Sequence, residues 1–302
     1  MLDAIRPKPR RQYLHRYAQV YFAGPPLAIL VALVLYPTIY LVRLAFSRFE
    51  LATMDRPDFV GLLNFQRLWT DASFWNALVN TLIISVCAVG AEFLLGFGLA
   101  LLLHQQLRGG PVFRSLLVVP LMIPPVVVGL NFRLIFDVFG PLSSVAQTLG
   151  LGRIDWLGDA KLAKMTIILT DMWQWTPFVF IILLAGLGAV PQDLFDAAAV
   201  DGASPWATLR YVIWPMLIPA ATVALAFRFI DVLKLFDIVY MITYGGPGAS
   251  TEVLSLNVYW TAFRFGDLGY AATLAFVMLI ILSVFSLTLI RTMQLEKRLG
   301  WK

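Results

Sequence analysis

The sequence predicts an all-α membrane protein of about six transmembrane helices, and three observations carry that prediction. Hydrophobic residues make up 60% of the chain and charged residues only 14%, against roughly 25% charged in an ordinary soluble domain. The apolar residues gather into runs of about 20, the length a helix needs to cross a hydrocarbon core. Those runs lack the strict apolar–polar alternation of a transmembrane barrel. With a mean hydropathy of +0.79, water is not the main solvent of this chain.

The spans follow in order. Residues 21–42 form the first, behind Arg6, Lys8, Arg10, Arg11 and Arg16. This start superficially resembles a secretory signal, but the run is too long for a signal core and lacks a small-residue cleavage site, so it is expected to be retained. The second, 77–103, holds the single cysteine, Cys87, expected to be a small packing residue with no disulfide partner in the chain. Residues 116–136, 165–187, 212–232 and 268–290 complete the set. Helix breakers punctuate them: Pro37, then Pro120, Pro124 and Pro125, then Pro177, then Pro215 and Pro219. Each proline removes a backbone hydrogen bond, which a membrane tolerates only where neighbours or water satisfy the freed group, and this suits a cavity-lining bundle.

Cationic residues in the flanks orient the spans. With the N-terminus inside, the cytoplasmic set is Arg6, Lys8, Arg10, Arg11, Arg16, Arg108, Arg114, Arg210, Arg291, Lys297, Arg298 and Lys302, with the clearest bias at the two ends. Both termini are therefore expected in the cytoplasm. Outer loops are expected at 49–74, 137–160 and 233–267, and inner ones at 104–112 and 188–211. The net charge of +5 belongs to these flanks. Nucleic acid is not an expected partner, because no basic patch is interleaved with stacking aromatics in a soluble module.

The inner loop 191–215, with the sequence PQDLFDAAAVDGASPWATLRYVIWP, has its own grammar. Pro191 suits the first turn of a helix running to Val200, with Asp193 near the positive helix end. Asp201-Gly202 is a turn signal, Ser204 an N-cap and Pro205 a first helical residue. The prediction is helix, tight turn, helix. Ala197, Ala198 and Ala199 offer a surface that another protein can approach closely, while Leu194 and Phe195 offer an apolar grip. A helix lying flat on the membrane would carry many cations; here Arg210 stands alone against Asp193, Asp196 and Asp201.

This loop resembles the EAA loop of ABC importer permeases, in which Glu-Ala-Ala is followed by a glycine four positions later and then by Ile-x-Leu-Pro. The matching positions are Asp196-Ala197-Ala198, Gly202 and Val212-Ile213-Trp214-Pro215, with Asp, Val and Trp as departures. Residues 243–275 and Asn80-Thr81-Leu82 are similar to the carbohydrate branch of these permeases, so the resemblance covers about 77–292. It implies a type I ABC importer permease fold with a cytoplasmic coupling helix, in which Asp196, Ala197, Ala198, Asp201, Gly202 and Pro215 couple the chain to an ATPase. It divides the chain into a cytoplasmic segment (1–19), a first span with its external loop (20–76), a core permease domain (77–292) and a cytoplasmic tail (293–302). The implied partners are a second homologous permease subunit, two ATPase subunits, an external or periplasmic substrate-binding protein and the lipid bilayer. The implied location is the bacterial or archaeal cytoplasmic (inner) membrane. No G-x-x-x-x-G-K-[ST] phosphate loop occurs, so ATP and Mg would be used by the partner ATPase, with no cofactor bound by this chain.

Polar groups inside spans are functional candidates by default, because each costs several kcal/mol unless paired or wet. Glu92 lies in the second span, and Asn131 and Arg133 in the third. Asp171, Gln174, Trp175 and Phe178 share one face of the fourth. With Glu92 and Asn131 they form the expected solute path, since carboxylates and amides pair with sugar hydroxyls and aromatic rings pack on sugar faces. The competing reading is that Asp171 and Gln174 bond a neighbouring helix. Arg228, Asp231 and Lys234 recur every third residue and are expected to form a structural ion pair near the external end. Trp156, Trp260 and Tyr270 are interfacial anchors or packing residues. His15 and His104 have no neighbouring ligands, so no metal site is expected. No catalytic residue is expected, because paired catalytic carboxylates, H-E-x-x-H and a nucleophile elbow are all missing. The alternative function is an ion-coupled secondary transporter of a small polar solute, which also uses kinked helices and midplane polar groups.

Overall fold

The computed structural model describes residues 10–52, 56–104 and 109–298. Arg6, Lys8, Arg108 and Lys302 of the expected cytoplasmic set lie outside the described residues. The chain is a helical membrane bundle. Its helices are α1 (Arg10–Ala45), α2 (Leu63–Thr70), α3 (Ala72–His104), α4 (Gly110–Val118), α5 (Pro125–Ile135), α6 (Pro141–Thr148), α7 (Ala160–Gly188), α8 (Gln192–Val200), α9 (Pro205–Thr208), α10 (Trp214–Val232), α11 (Asp237–Ile242), α12 (Leu254–Tyr259) and α13 (Leu268–Arg298). A two-residue antiparallel pair, β1 (Ser47–Arg48) with β2 (Asp58–Phe59), follows α1. Among the described residues, five helices are long and apolar enough to cross a membrane, and one bent pair of helices passes the same test of length and apolarity when taken as a unit.

That bent pair corrects the third expected span. Residues 116–136 are not one helix. The segments Gly110–Met122 and Pro125–Ile135 meet at 96°. The cause is local: a residue before proline is pushed out of the helical region. Ile123, before Pro124, takes φ −91°, ψ 127°, and Pro124, before Pro125, takes φ −56°, ψ 137°. Two extended residues in succession turn the chain. Pro215 acts differently, opening α10 rather than kinking it. It has no N–H for the Tyr211 carbonyl, and the preceding turn, Leu209–Ile213, widens to a π-helix in which the Trp214 N–H reaches back to the Leu209 carbonyl.

Helices α3 and α7 form the largest helix–helix contact of the bundle, with α10 against both. The approach is close because small residues line it. A Cβ on Gly96 would lie 3.0 Å from the Phe180 nitrogen, and one on Gly186 would lie 2.7 Å from the Ala220 Cβ. Two of the three apolar cores among the described residues run along these helices. One, at the α8 end, gathers Ala100, Leu103, Phe180, Leu183, Leu187 and Leu217. The other, at the α12 end, gathers Ile84, Ile167, Val232, Ile238, Ile242 and Leu256. Cys87 lies in neither: it is exposed on α3, on the side away from buried Ile84, Ala88 and Val89, and this corrects its expected packing role.

The α12 end is cross-tied by polar side chains. Asn80 donates to the carbonyls of Ala249 and Glu252 at 3.1 and 3.0 Å, and the Leu254 N–H donates to the Thr81 hydroxyl at 2.9 Å. Tyr270 is buried, with its hydroxyl donating to Asp71 at 2.6 Å and the Arg67 guanidinium 3.9 Å above its ring. Arg67 also pairs with Asp267 at 2.6 Å.

Candidate functional site

The loop at the α8 end folds as helix, turn, helix. Pro191 is the N-cap of α8 (φ −60°, ψ 135°) rather than a residue of its first turn. Its extended ψ leaves Gln192 to begin the helix. The end of α8 is closed by two reversed hydrogen bonds, from the Ala203 N–H to the Ala198 carbonyl at 2.9 Å and from the Gly202 N–H to the Ala199 carbonyl at 3.2 Å. This pairing requires a left-handed residue, and Gly202 supplies it at φ +66°. Ser204 then caps α9 by accepting from the Ala207 N–H at 3.2 Å. Of the six residues expected to couple, Asp196, Ala197, Asp201 and Gly202 are exposed, Ala198 is buried and Pro215 is half-buried. A ring contact joins the loop to the bundle: Phe195 of α8 stacks on His104 at the end of α3, centroids 6.1 Å apart.

Between the two apolar cores lies a charged layer built on Arg228, which is 1% exposed. Its Nε donates to Glu92 Oε2 at 2.5 Å, and its Nη2 donates to Glu92 Oε1 at 2.8 Å and to Asp171 Oδ2 at 2.7 Å. Its Nη1 donates to Asp231 Oδ2 at 2.9 Å. The Trp175 ring lies 4.7 Å from the guanidinium carbon. One cation thus ties α3, α7 and α10 together. A planar fork with five donors is the side chain that can serve three carboxylates at once. The expected ion pair along α10 forms, with Asp231 2.9 Å from Arg228 and 3.8 Å from Lys234, and Arg228 has two further partners that its spacing did not show. Arg228 points into the bundle toward Glu92 and Asp171, while Asp231 and Lys234, 3.8 Å apart, stay half exposed. Periodicity along α10 revealed only Asp231 and Lys234, because the other two partners are 136 and 57 residues away.

The expected solute-path residues divide in the same way. Glu92 and Asp171 are fully buried on Arg228. Gln174, also buried, donates to the Ile123 carbonyl at 3.0 Å. That carbonyl is at the break in the third span, so Gln174 satisfies a group the helix has released. These three side chains bond neighbouring helices rather than lining an open face. Asn131 is exposed and donates to the Val127 carbonyl of its own helix at 2.8 Å. Trp175 and Phe178 remain half-buried, ring edge to ring face at 6.3 Å.

The match with known proteins runs over most of the chain. Residues 92–297 match the family described as binding-protein-dependent transport system inner membrane component. The chain is 34% identical to the probable ABC transporter permease protein y4oQ of Sinorhizobium fredii, over 93% of this chain and 91% of that one. It is 36% identical to the sulfoquinovosyl glycerol transport system permease protein SmoG of Agrobacterium fabrum, over 84% and 83%. It is 31% identical to the trehalose/maltose transport system permease protein MalF of Thermococcus litoralis, over 88% and 90%. In fold it matches a chain of a bacterial ABC transporter involved in the import of the acidic polysaccharide alginate, at a TM-score of 0.82 and 21% identity, over 95% of this chain and 99% of that one. The all-α reading with about six spans holds, and the chain belongs to the binding-protein-dependent transport system inner membrane component family, the membrane-spanning subunits of ABC importers.

Proposed function

We propose that this chain is the permease subunit of an ATP-driven importer for a sugar or sugar derivative, standing in the cytoplasmic (inner) membrane with both termini in the cytoplasm. The observation that carries the reading is the capped helix–turn–helix of α8 and α9, which presents Asp196, Ala197, Asp201 and Gly202 outward in a chain with no phosphate loop of its own. Relatives named for trehalose/maltose and for sulfoquinovosyl glycerol support the sugar class. A solved alginate transporter in complex with its pentasaccharide-bound periplasmic protein supports delivery by an external binding protein.

Two ATPase subunits, which would bind ATP and Mg themselves, dock on α8 of this chain and of a second permease. Their closure displaces α8, and the Phe195–His104 stack passes that movement to α3. Arg228 makes α3, α7 and α10 respond as one body. The solute passes the half-buried Trp175 and Phe178, where rings pack on apolar sugar faces, with the half-exposed Asp231 as an acceptor for hydroxyls.

Uptake by the complex reconstituted in proteoliposomes tests the proposal. Uptake is expected to need ATP, the ATPases and the external binding protein. Accumulation by this chain alone under an ion gradient would establish the ion-coupled alternative instead. A reporter fused after Lys302 is expected on the cytoplasmic side.

A further inference from the structure

At the α8 end of the fifth span, Phe97 of α3 and Trp206, Leu209, Arg210, Tyr211 and Trp214 line a hollow of about 540 Å³. Its aromatic wall is ordered. The Trp214 ring meets Phe97 and Phe93 edge to face at 5.8 and 6.2 Å. Trp206 is 69% and Tyr211 73% exposed, so amphipathic rings form its mouth. The sole charge in the lining is Arg210, exposed, with its guanidinium 5.9 Å from the Tyr211 ring. Among the described residues Arg210 makes no ion pair. The π-helical turn Leu209–Ile213 carries three of the lining residues, and such turns gather at functional positions.

We propose that this hollow binds the phosphodiester headgroup of an anionic membrane phospholipid. The lining matches that chemistry and fits a freely soluble anion poorly. A soluble anion needs several converging donors in place of lost water, whereas five of the six lining residues are apolar or aromatic. A lipid presents one negative charge followed at once by hydrocarbon. The guanidinium can take the phosphate oxygens two at a time, while glycerol and the first acyl carbons lie on Trp206 and Trp214. The hollow also opens where a membrane-spanning stretch begins, the depth at which tryptophan and tyrosine rings sit among headgroups. Because Trp206 belongs to α9, a bound lipid would brace the joint between the coupling loop and α10. The site is independent of which solute crosses, so it can fail without the transport proposal failing.

The test is native mass spectrometry of the assembled transporter released from nanodiscs of phosphatidylcholine doped with phosphatidylglycerol. The wild-type assembly is expected to retain one more phosphatidylglycerol than the Arg210→Gln assembly. Equal occupancy of the variant should need about ten-fold more of that lipid, the effect of losing one charge-assisted contact. Arg210→Lys should recover most of the retention, and Trp206→Ala, an exposed change, should weaken it while assembly and thermal midpoint stay unchanged. Equal retention by wild type and Arg210→Gln overturns the proposal, as does equal retention of phosphatidylcholine. Displacement of the lipid by millimolar inorganic phosphate assigns the hollow to a soluble anion and overturns it too. Efficient cross-linking of Trp206→Cys to the second permease, showing protein over the hollow, does the same.

Discussion

At the scale of single residues, Arg228 is the largest fully buried side chain among the described residues. Three carboxylates and one ring share its guanidinium, and Glu92, Asp171 and Arg228 itself are excluded from solvent. Removing one partner of a buried ion pair costs about 3–5 kcal/mol, because the charges left behind have no compensation. Arg228→Met is therefore expected to lower the thermal midpoint of the purified complex sharply and reduce its yield from membranes. Arg228→Lys keeps the charge but loses the fork, so it should fall between. Replacing Arg228, Glu92 and Asp171 together by apolar residues of similar volume should restore the midpoint, since dry ion clusters are often no more stable than packed hydrocarbon. If the single and triple variants melt alike, the layer is not held by charge. Asp159 gives a second residue-scale test. Its carboxylate accepts from the Leu162 and Lys161 N–H groups at the start of α7, and those bonds hold its pKa below the ordinary carboxylate value. A depressed folded-state pKa contributes stability above the unfolded value and loses it as pH falls through the folded one. Asp159→Ala should therefore melt below wild type at pH 7 and converge with it under acid conditions, as read by the thermal midpoint against pH.

At the scale of elements, α8 and its turn depend on one backbone conformation. Space is not the issue at Gly202, since a Cβ there would meet nothing within 4 Å. The demand is φ +66°, and an ordinary L-residue pays about 1–2 kcal/mol to hold the left-handed region, asparagine less. Uptake per ATP hydrolysed is expected to fall in the order glycine, asparagine, alanine, valine at this position. A valine variant with wild-type coupling would remove the turn from the mechanism. The turn was readable in the sequence because Asp-Gly, Ser and Pro each act within three residues of where they stand. The third span was only half readable. Its prolines marked a disturbance, but whether two extended residues kink a helix or fold it by 96° depends on a distant group that donates to the released carbonyl. Gln174 is that group. Gln174→Leu should leave the part-buried Ile123 carbonyl without its partner, costing about 1 kcal/mol, and this is measurable as a lower midpoint with the α8 loop unaffected.

At the scale of the whole molecule, the two ends are built differently. Hydropathy alone located six apolar runs, five of which are helices long enough to cross a membrane among the described residues, because apolar runs of that length have few other uses. Which polar residues meet across the bundle was not readable: Asp171 and Gln174 share a face with Trp175 along the chain, yet bond two different neighbours in space. Asn80-Thr81, recognised only as a pattern, proves to be a clamp, with Asn80 holding two carbonyls of the segment before α12 and Thr81 accepting its Leu254 N–H. The α12 end is thus tied side chain to backbone at several points. In contrast, α8 meets the end of α3 through the His104–Phe195 ring stack. Motion driven from outside should therefore be absorbed at the α8 end first and reach the α12 end as a rigid tilt through the Arg228 layer. Hydrogen exchange on the assembled transporter during ATP turnover is expected to rise in residues 191–205 while 243–257 stay protected. Asn80→Ala frees two carbonyls and is expected to cost about 2 kcal/mol. It should raise exchange in 243–257 at rest without changing 191–205. If Asn80→Ala loosened the coupling loop equally, the ends would not be mechanically separate, and the charged layer would carry disorder as readily as it carries force.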